Sequence, residues 1–319
     1  PYAINISNAQ GTGLSNYSIT YTSGSMTVGQ AILTITAAAD SKVYGTTTTT
    51  NSLTYTGSTV SSSTGFTAAG LVNGDAIYNV TLTSSGALTT SVVGGGSGTA
   101  GKYLITPSSA VGSPGIASNY SIVYVDGLLN VTPATLTVSA ANDTKVYGAT
   151  TTQAGLAYAA GIVQSNAGYS VSGLVNGDAV TGVTLASNGA LATASVAGSA
   201  YAITPSLATG TGLANNYNIV YQNGLLSVTP RALTVVASNA DMNYGASALP
   251  SLAYSATGLV NGDNISGTLA TSATAYSGVA GSGSNVGAYN ITQGSLTAGG
   301  NYNLSFTQAT LSVDRKSTR

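Results

Sequence analysis

A six-residue sequence, Gly-Leu-Val-Asn-Gly-Asp, occurs three times in this chain of 319 residues. A Tyr-Gly pair precedes each copy of the hexapeptide, and a Tyr-x-Ile-Thr segment and an Asn-Tyr pair follow it in the same order. Motifs that return together in a fixed order indicate tandem structural repeats. The chain is therefore predicted to fold as a series of similar domains. The three hexapeptides are Gly70–Asp75, Gly173–Asp178 and Gly258–Asp263.

The motifs divide the chain into a first repeat (residues 30–133), a second repeat (134–230) and a third repeat (231–314). Residues 1–29 carry only closing motifs, so we interpret them as the C-terminal part of a preceding repeat. Residues 315–319 form a basic tail. Proline fixes φ at the junctions between repeats. With strands of ~8–10 residues rising ~3.3 Å each, three linked repeats predict an extended rod on the order of 100 Å long.

The composition excludes most catalytic, metal and redox chemistry. The chain has no Cys, no His and no Glu, and only 5% of its residues are charged. Disulfides, zinc sites and Ser–His or Cys–His nucleophiles are therefore absent, and we predict no enzymatic activity and no cofactor. Before the basic tail the chain holds four basic and eight acidic residues. This balance argues against a nucleic-acid partner, and no apolar run is long enough to predict a membrane span.

Apolar and polar residues alternate over short segments, as they do in half-buried β-strands. The first repeat shows the pattern at Leu33-Thr-Ile35, Tyr103-Leu-Ile105 and Leu129-Asn-Val131, and the other repeats have matching segments. The sequence predicts an all-β fold of small tandem β-sandwiches of immunoglobulin-like character. A β-grasp-like repeat with one short helix is the alternative, and a short helical turn at the hexapeptide stays open.

The tyrosines follow the repeat map, because 17 of the 20 fall at corresponding positions. A buried aromatic ring removes about 150–250 Å² of surface from water, so a repeated tyrosine set can form the core of each domain. The rival interpretation is an exposed aromatic strip that binds sugars. The nine predicted core residues are Tyr44, Tyr147, Tyr244, Tyr103, Tyr201, Tyr289, Tyr120, Tyr217 and Tyr302.

Aspartates are the only acidic side chains available. The last residues of the hexapeptides, Asp75, Asp178 and Asp263, are weak calcium candidates, because Ca²⁺ takes 6–8 oxygen ligands. The favoured interpretation is an Asn-Gly-Asp turn whose carboxylate accepts backbone N–H groups.

A second set of charged residues precedes the Tyr-Gly pairs. Lys42 and Lys145 lie two residues after Asp40 and Asp143, which predicts surface ion pairs. In the third repeat, Asp241 is taken as the matching aspartate, which places Asn243 at the lysine position.

Taken together, the motifs resemble the MBG- and YDG-type repeats of large bacterial surface proteins. The first two repeats look like the longer YDG type and the third like the shorter Tyr-Gly-x type. Such repeats are typical of filamentous-haemagglutinin-like adhesins exported by two-partner secretion. The resemblance implies display outside the cell at the bacterial surface, a small β-rich domain and an adhesive or stalk-forming role. It supplies no catalytic residues.

Three functions remain open from the sequence. The first is a structural stalk segment of an adhesin or extracellular fibre, whose partners are the neighbouring repeats of the same long chain. The second is a filament subunit, in which residues 1–29 associate with another copy by strand addition. The third is a carbohydrate-binding or hydrolysing module that contacts a glycan or protein of the host or cell surface.

Overall fold

The computed structural model describes residues 1–315, and the remainder of the predicted basic tail, residues 316–319, lies outside the described residues. Strands hold 47% of the described residues and helices 6%, which confirms the predicted all-β class. The chain divides into two compact bodies. The N-terminal body comprises residues 1–134, 175–177 and 214–218, and the C-terminal body comprises the remaining described residues.

The chain begins with a small hairpin made of β1 (Tyr2–Ile4) and β2 (Gly24–Met26). The two strands are antiparallel, with Tyr2 opposite Met26, and all their residues are exposed. A 3₁₀ turn at Leu14–Asn16 lies between them. The hairpin therefore contributes little to a core.

The first repeat is a two-layer sandwich of a three-stranded and a five-stranded sheet. Its eight strands are β3 (Ala31–Ala37), β4 (Asp40–Val43), β5 (Thr59–Ser62), β6 (Phe66–Ala69), β7 (Ile77–Thr83), β8 (Tyr103–Gly112), β9 (Tyr120–Val125) and β10 (Gly127–Thr132). The sheet orders are β6-β3-β9 and β4-β10-β8-β7-β5, and β3 contacts β8 and β10 across the layers. The helical segments are α1 (Ile116–Asn119) and 3₁₀ turns at Ser85–Ala87 and Thr99–Gly101.

The second repeat has the same strand order. Its sheets are β14-β11-β17 and β12-β18-β16-β15-β13, and 3₁₀ turns lie at Asn188–Ala190 and Val196–Gly198. The strands are β11 (Ala134–Ala140), β12 (Asp143–Val146), β13 (Ile162–Ser165), β14 (Tyr169–Ser172), β15 (Ala179–Ala186), β16 (Tyr201–Thr211), β17 (Tyr217–Gln222) and β18 (Gly224–Thr229).

The third repeat is a smaller version, with sheets β21-β19-β24 and β20-β25-β23-β22. Its strands are β19 (Arg231–Ala237), β20 (Ala240–Asn243), β21 (Tyr254–Thr257), β22 (Ala270–Thr271), β23 (Gly287–Thr292), β24 (Tyr302–Thr307) and β25 (Ala309–Asp314). The helix of a β-grasp alternative is not seen in residues 1–315, where α1 spans only four residues. None of the helices in that range has the length and apolar composition that a membrane crossing requires.

In each repeat an early strand lies parallel to a late one. In the first repeat β3 pairs with β9, and β4 pairs with β10. In the second repeat β12 pairs with β18 in the same way. In the third repeat β19 pairs with β24, and β20 with β25. In each repeat, a strand near the N-terminal end is therefore hydrogen-bonded to a strand near the C-terminal end.

Alternating aliphatic side chains fill the space between the two sheets. Each fully buried Leu, Ile or Val contributes about 1.5–3 kcal/mol, and Leu33-Thr-Ile35 follows the predicted pattern of two buried residues around a partly exposed one. The hexapeptides, by contrast, form no helical turn. They lie in the loops before β7 and β15 and before Ser266, and Val72 O accepts the N–H of Asp75 to close a β-turn.

Two lysines lie inside the domains rather than on the surface. Lys42 is 2% exposed and Lys145 is 1% exposed, so the predicted surface ion pairs are wrong. Lys42 Nζ donates to Thr46 O at 2.9 Å and to Leu88 O at 2.7 Å. Lys145 Nζ makes the matching bonds to Ala149 O and Leu191 O. The ammonium thus joins two loops by bonding to their carbonyl groups.

The strand register corrects the alignment of the third repeat. Lys42 pairs with Val131 and Met242 pairs with Val313, each in the parallel ladder with the last strand. Met242, not Asn243, therefore occupies the lysine position, and Asp241 lies one residue away from the position of Asp40. Tyr276 N–H donates to Ala246 O in this repeat. This bond gives the carbonyl that corresponds to Thr46 O a backbone donor, so no lysine is needed there.

We expect Lys42→Met to destabilise the fold by about 1–3 kcal/mol at neutral pH, because the carbonyls of Thr46 and Leu88 lose the lysine side chain as their donor. Burial lowers the pKa of Lys42 from 10.5 to about 8. Between these values the unfolded chain binds more protons than the folded chain, so the stability of the natural protein rises with pH. The variant lacks this titration.

Denaturant unfolding of both proteins at pH 7 and pH 10 measures this effect. The stability difference between them should be larger at pH 10, because titration of other groups is common to both. A difference that shrinks with pH would contradict the assignment.

Candidate functional site

The predicted core tyrosines occupy three kinds of environment. Tyr44 and Tyr147 are each 4% exposed, and Tyr103, Tyr120, Tyr217 and Tyr302 are also buried. Tyr201 and Tyr289 are half-buried. Tyr244 is 53% exposed, so its assignment to the core is wrong. The difference among Tyr44, Tyr147 and Tyr244 arises because segments of the following repeat cover the first two residues.

The junction between the second and third repeats lies within the C-terminal body. The ring of Tyr147 meets the ring of Tyr302 edge to face, with centroids 5.5 Å apart and planes at 79°. This geometry contributes about 0.5–1.5 kcal/mol beyond the area buried. Both hydroxyls donate to Asp263 Oδ2, at 2.8 Å from Tyr147 and 2.7 Å from Tyr302. A single carboxylate oxygen thus binds one tyrosine from each repeat.

The glycine after Tyr147 allows a close approach of the two repeats. Gly148 has φ of +83°, a conformation that side chains disfavour. A Cβ built on it would lie 2.5 Å from Val260 Cγ2 of the hexapeptide. Gly148 N–H donates to Ala192 O, which also accepts Asn261 Nδ2 at 3.0 Å. The turn therefore fits against the third repeat only with glycine at this position.

The asparagine of the Asn-Tyr pair completes the junction. Asn301 Oδ1 accepts Val196 N–H at 2.9 Å, and its carbonyl accepts Arg231 N–H at 2.9 Å. The guanidinium of Arg231 donates to Gly258 O at 3.0 Å and to Tyr147 O at 3.5 Å. Hydrogen bonds from backbone and side chains thus connect the two repeats on several sides of Tyr147.

A hydrophobic cluster continues across the same junction. Second-repeat residues Tyr147, Ala194 and Val228 pack with third-repeat residues of β19, β24 and the loop before β24. The third-repeat members are Leu233, Val235, Leu296 and Tyr302. The second and third repeats therefore share a core rather than meeting through a flexible linker.

The N-terminal body contains the same arrangement. Tyr44 meets Tyr217 edge to face, with centroids 5.5 Å apart and planes at 80°. A Cβ on Gly45 would lie 2.6 Å from Val175 Cγ2, and Asn176 Nδ2 donates to Thr89 O at 2.8 Å. The asparagine contacts also recur: Asn216 Oδ1 accepts Val93 N–H and its carbonyl accepts Ala134 N–H.

Two names describe these recurring parts. The Tyr-Gly turn is the pair at residues 44–45, 147–148 or 244–245. The socket consists of the valine, asparagine and aspartate of a hexapeptide with the Asn-Tyr pair of the same repeat. The turns at 44–45 and 147–148 each lie against the valine, the asparagine and the Asn-Tyr pair of the following repeat's socket, and Tyr147 also binds the aspartate.

The aspartates proposed as calcium candidates have a structural role in the sockets. Asp75 Oδ2 accepts Tyr120 Oη at 2.8 Å, and Asp263 Oδ2 accepts two tyrosine hydroxyls. Burial and then the bond to Asp263 raise the pKa of Tyr302, so its hydroxyl stays protonated as a donor. No group of three or more acidic side chains suited to a metal ion occurs in residues 1–315. Asp178 lies beside Gly212.

The buried tyrosines contradict the rival interpretation of an exposed sugar-binding strip. Rings such as Tyr44 and Tyr120 are buried, so these positions do not form an exposed aromatic strip.

Sequence reasoning missed the valine and asparagines of the socket. Their strict recurrence beside the predicted tyrosines was the available signal, but it does not show that the contacts cross from one repeat to the next.

Small sandwich domains, repeated in tandem and joined by one recurring set of contacts, define a β-sandwich repeat protein. The sequence profile of the MBG domain (YGX type) matches residues 33–130, 136–227 and 233–312. The chain belongs to this family, which confirms the resemblance found in the sequence. The YGX-type profile also covers the two repeats that look like the longer YDG type. A comparison with curated proteins gives no match.

Among solved structures, the N-terminal four Ig domains of Dscam1 isoform 4.44 are 9% identical, with a TM-score of 0.19 over 91% of this chain and 75% of that chain. The same region of isoform 1.9 is 9% identical, with a TM-score of 0.18 over 91% and 74%. Sequence identities and TM-scores this low add no evidence about the fold.

Two glycine variants test the tight fit of the junction. Gly245 has φ of +76°, so Gly245→Ala should destabilise the protein by about 1–2 kcal/mol through backbone strain. Its added Cβ would meet no described atom within 4 Å, so no steric overlap adds to this loss. Gly148→Ala has a similar φ and also overlaps Val260, so we expect a further ~1–3 kcal/mol. Denaturant unfolding measures both changes. Equal losses would show that the contact with Val260 is not tight.

Proposed function

We propose that this chain is a non-catalytic stalk segment of a bacterial cell-surface adhesin or extracellular fibre. Its role is to give reach and stiffness to adhesion outside the cell, and its partners are neighbouring repeats. The observation that carries the proposal is the shared core between the second and third repeats, with Tyr147 fixed between Asp263 and Tyr302.

A stalk must resist bending at its junctions, and the contacts of this junction oppose such motion. The Tyr-Gly turn at residues 147–148 follows β12 directly, and Tyr147 N–H donates to Thr229 O at the end of β18. Any rotation of the third repeat would separate Tyr147 from Asp263 and expose a buried ring. The bend is therefore opposed by both hydrogen bonds and hydrophobic burial.

A stalk must also resist tension, and the parallel strand pairs suit this task. Force applied through the ends of the first repeat enters at β3 and leaves at β10. Because β3 lies parallel to β9 and β4 lies parallel to β10, pulling along these strands loads the hydrogen bonds of each pair together. An antiparallel hairpin pulled at its open end, by contrast, loses its bonds one at a time.

The remaining chemistry of the chain is consistent with a mechanical role. Its acidic side chains are few, and the aspartates of two sockets accept tyrosine hydroxyls. Display at the bacterial surface is the part of the proposal that rests on the family and on a composition without Cys, which suits a secreted chain folding without disulfides. A carbohydrate-binding role gains no support from the buried tyrosines.

Small-angle scattering of the full chain tests the stiffness. The dilute natural protein should fit a single elongated conformer with a maximum dimension on the order of 100 Å. Asp263→Ala removes the acceptor of two tyrosine hydroxyls and should broaden the distribution of distances. Asp126→Ala, at an exposed position outside the junction, is the matched control. Flexible behaviour of the natural protein would contradict a stiff stalk.

Single-molecule pulling tests the tensile role, and the absence of natural cysteines allows paired handles. Handles at Gln30→Cys and Pro133→Cys load the parallel pairs of the first repeat. Handles at Thr59→Cys and Thr83→Cys load β5 and β7 at their open end, where these two residues are paired. All four positions are exposed. We expect a higher unfolding force for the first pair, and an equal or lower force would contradict the mechanism.

A further inference from the structure

The socket of the first repeat has the same construction as the filled socket of the third repeat. Tyr120 Oη donates to Asp75 Oδ2 at 2.8 Å and accepts Val72 N–H at 2.9 Å. In the third repeat, Tyr302 makes the same bonds to Asp263 and Val260, at 2.7 and 3.1 Å. The polar framework that holds a Tyr-Gly turn is therefore already formed in the first repeat.

The surface of this socket is partly exposed, although Pro1, Tyr2 and Val28 of the N-terminal segment line its cavity. A cavity of about 410 Å³ borders Val72, Asn73, Asp75, Asn119 and Tyr120, within the ~300–1,000 Å³ range of ligand clefts. Val72 is 50% exposed, whereas its counterparts Val175 and Val260 are half-buried against glycines. Asn119 is exposed, whereas its counterpart Asn216 is buried.

The third repeat presents the complementary part. Its Tyr-Gly turn has the backbone geometry of the others, since Tyr244 N–H donates to Asp314 O as Tyr147 N–H donates to Thr229 O. Tyr244 is nevertheless 53% exposed, against 4% for Tyr44 and Tyr147. The turn borders an open cavity of about 370 Å³ beside Tyr276 and Asn285.

We propose that the Tyr-Gly turn at residues 244–245 of one copy binds the socket of the first repeat of a second copy. Two of the contacts are already present twice within the chain, namely a tyrosine ring on Tyr120 and a glycine on Val72. The third, a second hydroxyl on Asp75, follows the bond from Tyr147 to Asp263. An interface between different surfaces of identical chains is heterologous, so it generates open-ended assemblies unless its rotation closes a ring.

The N-terminal hairpin must move when this contact forms. Its pairing of Tyr2 with Met26 matches the pairing of Tyr103 with Leu129 between β8 and β10. Tyr2 and Val28 line the same cavity as Val72 and Tyr120, so the hairpin lies where the closing strands of a docked repeat would lie. Residues of β1 and β2 are exposed throughout, so little buried surface opposes this displacement. This inference rests on junction geometry rather than on the stalk proposal, since a stiff monomer need not self-associate.

Sedimentation velocity over a wide concentration range tests the association. The natural chain should form species that grow with concentration. Tyr244→Ala, which removes the ring, and Val72→Arg, which blocks the socket, should each weaken association at least about tenfold. Both positions are exposed, so the fold should be retained. Tyr78→Ala, at a 58% exposed tyrosine outside the socket, is the matched control and should associate like the natural chain.

Mixing the two variants distinguishes this interface from other modes. Tyr244→Ala keeps an intact socket and Val72→Arg keeps an intact turn, so an equimolar mixture should give a one-to-one complex that grows no further. Native mass spectrometry identifies it, and limited proteolysis should then cleave residues 1–29 faster than in either variant alone. A natural chain that stays monomeric would overturn the proposal. Undiminished association of Tyr244→Ala would also overturn it and would favour strand addition to the hairpin.

Discussion

The burial of Tyr44 and Tyr147 against the socket of the following repeat is the interaction on which the rest of this architecture depends. Tyr147 is not an isolated contact, because it continues β12, which is itself paired with β18 at the end of the same repeat. Its hydroxyl and that of Tyr302 share one carboxylate oxygen. Stability within a repeat and stability between repeats are therefore coupled through one short segment.

A chain with so few charges has to satisfy buried polar groups in other ways. Backbone carbonyls accept the ammonium groups of Lys42 and Lys145, and asparagine side chains bond to backbone groups at both junctions. The Asn-Gly steps of the sockets take positive φ values, at Asn176 and Gly177 for example, which these residue types tolerate better than others. The hexapeptide is thus selected for backbone shape and for its donors rather than for catalysis.

The sequence could predict the local structure and the repetition, but not the environment of each copy. The alternation of apolar and polar residues around Leu33 and Ile35 indicates a strand, because both side chains face the core between the two sheets. Tyr44 and Tyr244 both begin a Tyr-Gly pair directly after a short strand, yet one is buried and the other exposed. Their difference is set by a loop far along the chain, which no local pattern encodes.

The lysines and the third-repeat register show a second limit of sequence reasoning. A lysine two residues after an aspartate predicts a surface ion pair, but two carbonyls within reach of Nζ compensate for the burial of Lys42. Met242 shows that the position prefers a long chain rather than a charge, and only the ladder with β25 reveals that alignment.

Nearest-neighbour contacts of this kind make the energetics of the chain nearly one-dimensional. Each repeat contributes its own stability, and each filled socket adds an interface term, as in other repeat proteins. Capping repeats in such arrays present a polar outer face, whereas the first repeat presents Val72 and the third presents Tyr244. The partly exposed socket and the exposed turn are therefore surfaces of the same chemical type as the filled junctions. Binding of a further repeat to either surface would bury apolar area through the kinds of contact that the chain already makes.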